Sequence, residues 1–151
     1  THDGTDLAWA AAAGGGGPDE IDIWRLNGTL SGDQDPLTSN WERQDAESGA
    51  GAWEVIGTGM SQSSGVFTFP STGKWYIQFF YRGNSVGNDT NWNHAKIEAT
   101  NNDSTWAGAA NTNFEADGSG SRGMNGTCMT GFDVSDVSNQ KVRFGVVLLI
   151  I

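Results

Sequence analysis

The chain has 151 residues, about one domain's worth, and carries 8 Lys and Arg against 18 Asp and Glu for a net charge of −10. That balance repels phosphate backbones and argues against nucleic-acid binding, and no run of five like charges marks an acidic tail. A single Cys rules out an intrachain disulfide and a four-Cys zinc site, and the absence of an 18-residue apolar run rules out a membrane-spanning helix.

Thr1–Pro18 reads as a lead-in from an upstream region. It passes through Ala10–Ala13 and Gly14–Gly17 to Pro18, a flexible connector, and the Ala run is too short for a stable helix in water. Starting at Thr rather than Met suggests a processed or partial chain. Strand signals begin after Pro18. Ile21–Leu26 places Ile21 and Ile23 on one face and then shifts, and Asn27-Gly28 and Ser31-Gly32-Asp33 carry turn chemistry. Trp41–Val55 reads as an extended crossing segment with an exposed Gly-rich loop at Ser48–Gly51.

Val66–Phe69 alternates and stops at Pro70, and Ser71-Thr72-Gly73 forms a turn. The clearest strand follows, from Lys74 to Arg82. Trp75, Ile77, Phe79 and Tyr81 share one face; Tyr76, Gln78, Phe80 and Arg82 share the other. The first face suits a sandwich core. The second is too aromatic for a solvated face of an antiparallel sheet, so Tyr76 and Phe80 are candidate subunit-interface residues.

Gly83–Asn93 reads as a polar loop, His94–Thr100 as a half-exposed strand and Trp106–Glu115 as a strand of small and aromatic residues. Ala116–Gly126 reads as a Gly/Ser-rich loop. Cys128, Thr130, Phe132 and Val134 then share a strand face, and Lys141–Ile151 is a final apolar strand. About eight short strands, Gly-rich turns and no amphipathic helix fit an all-β, antiparallel two-sheet sandwich over residues 19–151.

Chemistry-bearing patterns are sparse. His2 and His94 have no metal-ligand spacing, no G-x-S-x-G elbow occurs, and Gly118–Gly123 lacks the Lys-Ser/Thr ending of a phosphate loop. Asp33, Asp35, Asp45 and Glu47 offer oxygen donors at a spacing that matches no EF-hand, so they read as turn residues. Four N-x-Ser/Thr sequons, at Asn27, Asn88, Asn102 and Asn125, are what an Asn-rich chain carries by chance. The expectation is a chain with no catalytic residues, metal or cofactor.

Gly57-Thr58-Gly59-Met60, followed by Gly65-Val66-Phe67-Thr68-Phe69-Pro70-Ser71-Thr72-Gly73-Lys74-Trp75-Tyr76-Ile77, resembles the G-x-F-x-x-P-x-x-G-x-Y signature of complement-head and tumour-necrosis-factor-like jelly rolls. Together with Ile23–Leu26 and Ser39–Arg43 it is similar to structural proteins of marine bacteriophages, in which such a head closes a fibre or capsid appendage. Thr1–Trp9 resembles the L-x-x-D-G-T-x-L-x-W segment that precedes those heads.

The resemblance implies a homotrimeric virion protein of a tail fibre or capsid spike, acting in assembly and host attachment. Its partners would be itself, an upstream fibre or capsid protein and a cell-surface glycan or protein. The alternative is a secreted carbohydrate-binding module of a larger enzyme or adhesin. The family continues with a further Phe-rich strand where this sequence ends in Val146–Ile151; a truncated chain, a terminus covered by a partner and a misassigned terminus all remain open. Recognition is expected at the end away from the lead-in. Asn88, Asp89, Asn91 and Trp92 are the candidate receptor-binding loop, with Trp92 either stacking on a sugar or tucked under its own loop.

Overall fold

The computed structural model describes residues 19–44, 55–85, 91–116 and 122–150. Among them there is no helix. Eleven strands occur, more than the eight expected, because the first part of the chain breaks into very short pieces. These are β1 (Ile21–Asp22), β2 (Trp24–Leu26), β3 (Trp41–Arg43), β4 (Val55–Ile56), β5 (Ser61–Ser63), β6 (Val66–Thr68), β7 (Gly73–Ser85), β8 (Asn91–Thr100), β9 (Ala107–Ala116), β10 (Arg122–Val134) and β11 (Lys141–Ile150). Ile23 is the break that turns the expected first strand into β1 and β2.

One antiparallel sheet has the order β5-β6-β11-β8-β9. Against its inner face lie two ribbons, β2–β3 and β7–β10, while β1 pairs with β4. Alternation explains which residues face inward. Ala95, Ile97, Val142, Phe144 and Val146 of the large sheet are buried, and Phe79, Cys128 and Val134 come from the opposing ribbon. Burial pushes the Cys128 thiol above its ordinary range.

The core is centred on Phe67. Its ring stands edge-on to Trp24 at 5.3 Å, Trp41 at 5.0 Å and Phe144 at 5.2 Å, and Phe144 reaches Phe79 across the sandwich at 5.0 Å. Such edge-to-face pairs contribute about 0.5–1.5 kcal/mol each beyond area burial. Phe69 is buried beside Trp75 and Phe132, and Pro70 follows it just beyond the end of β6. The sequence thus placed Phe67, Phe69 and Trp75 on the core side, where the structure has them.

Gly57–Met60 is a carboxylate cradle. With Gly57 at φ +79° and Gly59 at φ +71°, the backbone turns its N–H groups inward. The Thr58 and Gly59 amides donate to the Glu20 carboxylate at 3.0 and 2.9 Å, and the Met60 amide donates to Asp22. Arg43 grips Asp22 through Nε and Nη2 at 2.8 and 3.1 Å, donates to the Met60 carbonyl, and lies over Trp24. This ties β1, β3 and the turn before β5 into one unit, although those parts are far apart in sequence.

Two loop readings are corrected. Gly83–Asn93 is not one loop: Gly83–Ser85 completes β7, and Asn91–Asn93 opens β8. Of the proposed Ala116–Gly126 loop, Ala116 closes β9 and Arg122–Gly126 belongs to β10. The cause is the ladder. β7 and β10 pair over all 13 residues from Gly73↔Val134 to Ser85↔Arg122, so main-chain bonding holds polar and Gly-rich residues in strands.

Candidate interaction surface

Strand register fixes the two ends of the molecule. Ser61, Thr68, Lys141 and Thr100 lie in one row across the large sheet, at the end where β7 starts. Asp19 is at this near end, because its carbonyl lies against Gly57, just before Met60 and Ser61. At the far end are Ser85, Asn91, Ala116, Arg122 and Ile150.

The outer face of β7 and β10 carries the largest exposed apolar side chains. Phe79, Ile77 and Trp75 point to the core, so Tyr76 and Phe80 point out, 62 % and 71 % exposed, with Met129 at 49 %. Register brings these together: Met129 stands opposite Gln78, between Tyr76 and Phe80, and the Tyr76 hydroxyl donates to its sulfur. Two rings exposed to this degree offer roughly 200–300 Å² of apolar surface, on the scale of about 150–250 Å² per aromatic side chain. A patch of this size is on the scale of the largest apolar patches of monomer surfaces, which are often functional. At the near end the face is bordered by the Lys74–Asp133 pair and at the far end by Arg82. The sequence signal that found Tyr76 and Phe80 was simple alternation. Met129 was missed because its contribution depends on pairing with a strand about 50 residues away.

The proposed receptor loop fares differently. Asn88 and Asp89 lie outside the described residues. Asn91 and Trp92 are in β8 and not in a loop: Asn91 pairs with Ile150 and Ala116, and Trp92 with Leu149 and Glu115. Asn91 and Trp92 fall at the far end, which the register brings together with the end of β9 and the start of β10.

A shallow open depression of about 380 Å³ lies at the near end, lined by residues that include Thr100, Asn102, Phe132, Gln140 and Lys141. Its polar groups are committed to turns. Asn102 Oδ1 accepts from the amides of Ser104 and Thr105, Gln140 Oε1 accepts from the amides of Ser135 and Asp136, and Lys141 pairs with Asp103. Few donors remain to orient a ligand. Asp35, one of the four carboxylates weighed as oxygen donors, is held by Lys96 at 2.8 Å on the outer face of the large sheet; Asp45 and Glu47 lie outside the described residues. Among the described residues no group of three or more His, Cys, Asp or Glu side chains converges on a point.

Comparison with protein-family models, with curated proteins and with solved structures returned no match.

Proposed function

We propose that this chain is the head domain of a viral structural protein, a homotrimeric jelly roll on a phage tail fibre or capsid spike, located in the virion and acting in assembly and host attachment. The observation that carries the reading is the exposed Tyr76, Phe80 and Met129 face on a molecule of net charge −10. A closed cyclic assembly would bury that face against copies of itself. The strand order supports the jelly-roll part. After β6 the chain crosses to β7, returns for β8 and β9, crosses again to β10 and returns for β11, which lies between β6 and β8. The placement of Asp19 at the near end supports attachment chemistry at the far end: a stalk entering through Asp19 leaves the far-end connections free for a cell-surface glycan or protein.

The test is the mass of the full chain in solution by light scattering at micromolar concentration. The expected value is three times the 16.0 kDa of one chain, falling to one-third of that in Phe80→Glu. A stable monomer in the unmodified chain overturns the assembly reading. For the virion location, a labelled antibody against the chain should decorate fibre tips or capsid spikes of a virus particle.

A further inference from the structure

The chain holds sulfur in three methionines and one cysteine, and the fold sets one of them apart. Met60 is 7 % exposed, Met124 6 % and Cys128 4 %, whereas Met129 is 49 % exposed. Alternation along β10 makes the difference: Met124 and Cys128 point inward, so Met129 points out. Burial also raises the Cys128 pKa, which keeps that group a weakly reactive thiol at neutral pH.

The exposed thioether sits in the middle of the outer face of β7 and β10. Met129 stands opposite Gln78, and Tyr76 and Phe80 lie two positions to either side on β7. Their own partners on β10 are Gly131 and Thr127, one without a side chain and one with a short one. Diagonal neighbours in such a pair are within reach of aromatic and long side chains. The Tyr76 hydroxyl takes that reach and donates to the Met129 sulfur at 2.6 Å. Met129 is not part of the buried core cluster, so its chemistry can change without disturbing the packing around Phe67.

We propose that Met129 is an oxidation site: a peroxide converts its thioether to the sulfoxide while Met60 and Met124 are spared, and the oxidised face holds copies of the chain together more weakly. The effect on assembly rests on the self-association reading above. In the reaction a sulfur lone pair attacks one oxygen of hydrogen peroxide. The S–O bond forms as the O–O bond breaks, and the departing oxygen takes the proton from the transferred one and leaves as water. Sulfur loses two electrons and the peroxide gains them. The Tyr76 hydroxyl occupies one lone pair of the sulfur and leaves the other free to attack. A thioether is apolar and packs well against rings; a sulfoxide is polar and a strong acceptor. Tyr76 can donate once to the new oxygen. Water satisfies the remaining acceptor capacity in a free chain, and an apolar face of another copy does not. The same closure shields the sulfur, so assembly in turn slows its oxidation.

The test uses the full chain and hydrogen peroxide, with each methionine followed by peptide mass spectrometry. At a concentration where the chain is monomeric, Met129 is expected to gain one oxygen atom at least tenfold faster than Met60 or Met124. Equal rates at the three methionines overturn the proposal. Light scattering then compares the oxidised and unmodified chains. The concentration needed for self-association should rise at least tenfold on oxidation, with the urea midpoint of the monomer unchanged. Met129→Leu should assemble like the unmodified chain and ignore peroxide; a Met129→Leu chain that peroxide weakens equally overturns the assignment to Met129. An unmodified chain that stays monomeric sinks the assembly reading and its control together. A chain that assembles equally well before and after Met129 is oxidised sinks the control alone.

Discussion

On the outer face of the five-stranded sheet, Lys96 is held between Asp35 at 2.8 Å and Glu98 at 3.0 Å, Glu98 also accepts from Arg143 at 2.7 Å, and the Arg143 guanidinium lies over Trp106. On the outer face of β7 and β10, Tyr76, Phe80 and Met129 stand in the open with one exposed cation, Arg82, beside them. Both faces belong to antiparallel sheets packed on the same core. The first satisfies its own charges within the chain and asks nothing of a neighbour. The second leaves apolar area and one charge unmatched among the described residues, which is the chemistry of a surface that acquires a partner. The difference teaches where to look: a sheet face finished with an internal ion network is a poor docking site, however polar it looks in sequence.

The strongest way to break the comparison is at Glu98, which ties Lys96 and Arg143 together with its side chain only 12 % exposed. Glu98→Ala should cost about 2–4 kcal/mol, between a charge-assisted hydrogen bond and a fully buried ion pair, read as a lowered midpoint in urea at unchanged slope. A loss under about 0.5 kcal/mol, the ordinary surface value, would mean the network is as dispensable as an exposed pair.

Gly145 tests how the network is built. Asp35 reaches Lys96 across the bare backbone of Gly145, and a Cβ there would come within 2.7 Å of Asp35 Oδ1 and 2.9 Å of Lys96 Cε. Gly145→Ala should therefore cost about 1–2 kcal/mol by displacing flexible side-chain ends and not backbone. In an Asp35→Asn background that cost should shrink, since the displaced ion pair is already weakened; equal costs in both backgrounds would show the two sites to be uncoupled.

How much of this was readable in sequence varies by region. The β7 faces were, because a period-2 pattern over nine residues has one interpretation. The strand ends were not: Gly83–Ser85, Asn91–Asn93 and Arg122–Gly126 have loop composition, and only their ladder partners in β10, β7, β9 and β11 hold them extended. The Gly57–Met60 turn was visible as a turn, but its purpose was not, since the Glu20 and Asp22 carboxylates it binds lie 38 or 39 residues upstream. Asp35 read as a solvated turn residue for the same reason: Lys96 and the space above Gly145 are brought to it only by the fold. Pairwise chemistry between distant segments leaves no local periodicity to find.

Alkaline pH sharpens the comparison from the charged side. Burial works against the charged Lys96 ammonium, but the hydrogen bonds to Asp35 and Glu98 outweigh it and raise its pKa above the ordinary 10.5. Burial alone raises Tyr81 above 10.0. A raised folded pKa gives stability that is fully present below the unfolded value and is lost as pH rises through the folded one. Both groups therefore predict constant contributions through neutral pH and a decline beginning above about pH 10. In Lys96→Met the decline should be shallower; an identical alkaline slope in the variant would remove Lys96 as a cause.

The smallest expected effect on folding is on the apolar face. Phe80 is 71 % exposed and shares no ring contact with the core cluster, whereas Phe79, its neighbour in β7, is 9 % exposed and packs on Phe144 at 5.0 Å. At a concentration where the chain is monomeric, Phe80→Ser should change unfolding free energy by no more than about 0.5 kcal/mol, while Phe79→Ser should cost about 3–5 kcal/mol or prevent folding. The same Phe80 change should remove most of the chain's self-association at higher concentration, because a ring buried only between copies contributes nothing to one copy alone. If Phe80→Ser instead destabilises the monomer by 2 kcal/mol or more, the ring is covered within a single chain, and the contrast between a self-satisfied face and an unmatched one fails at its central residue.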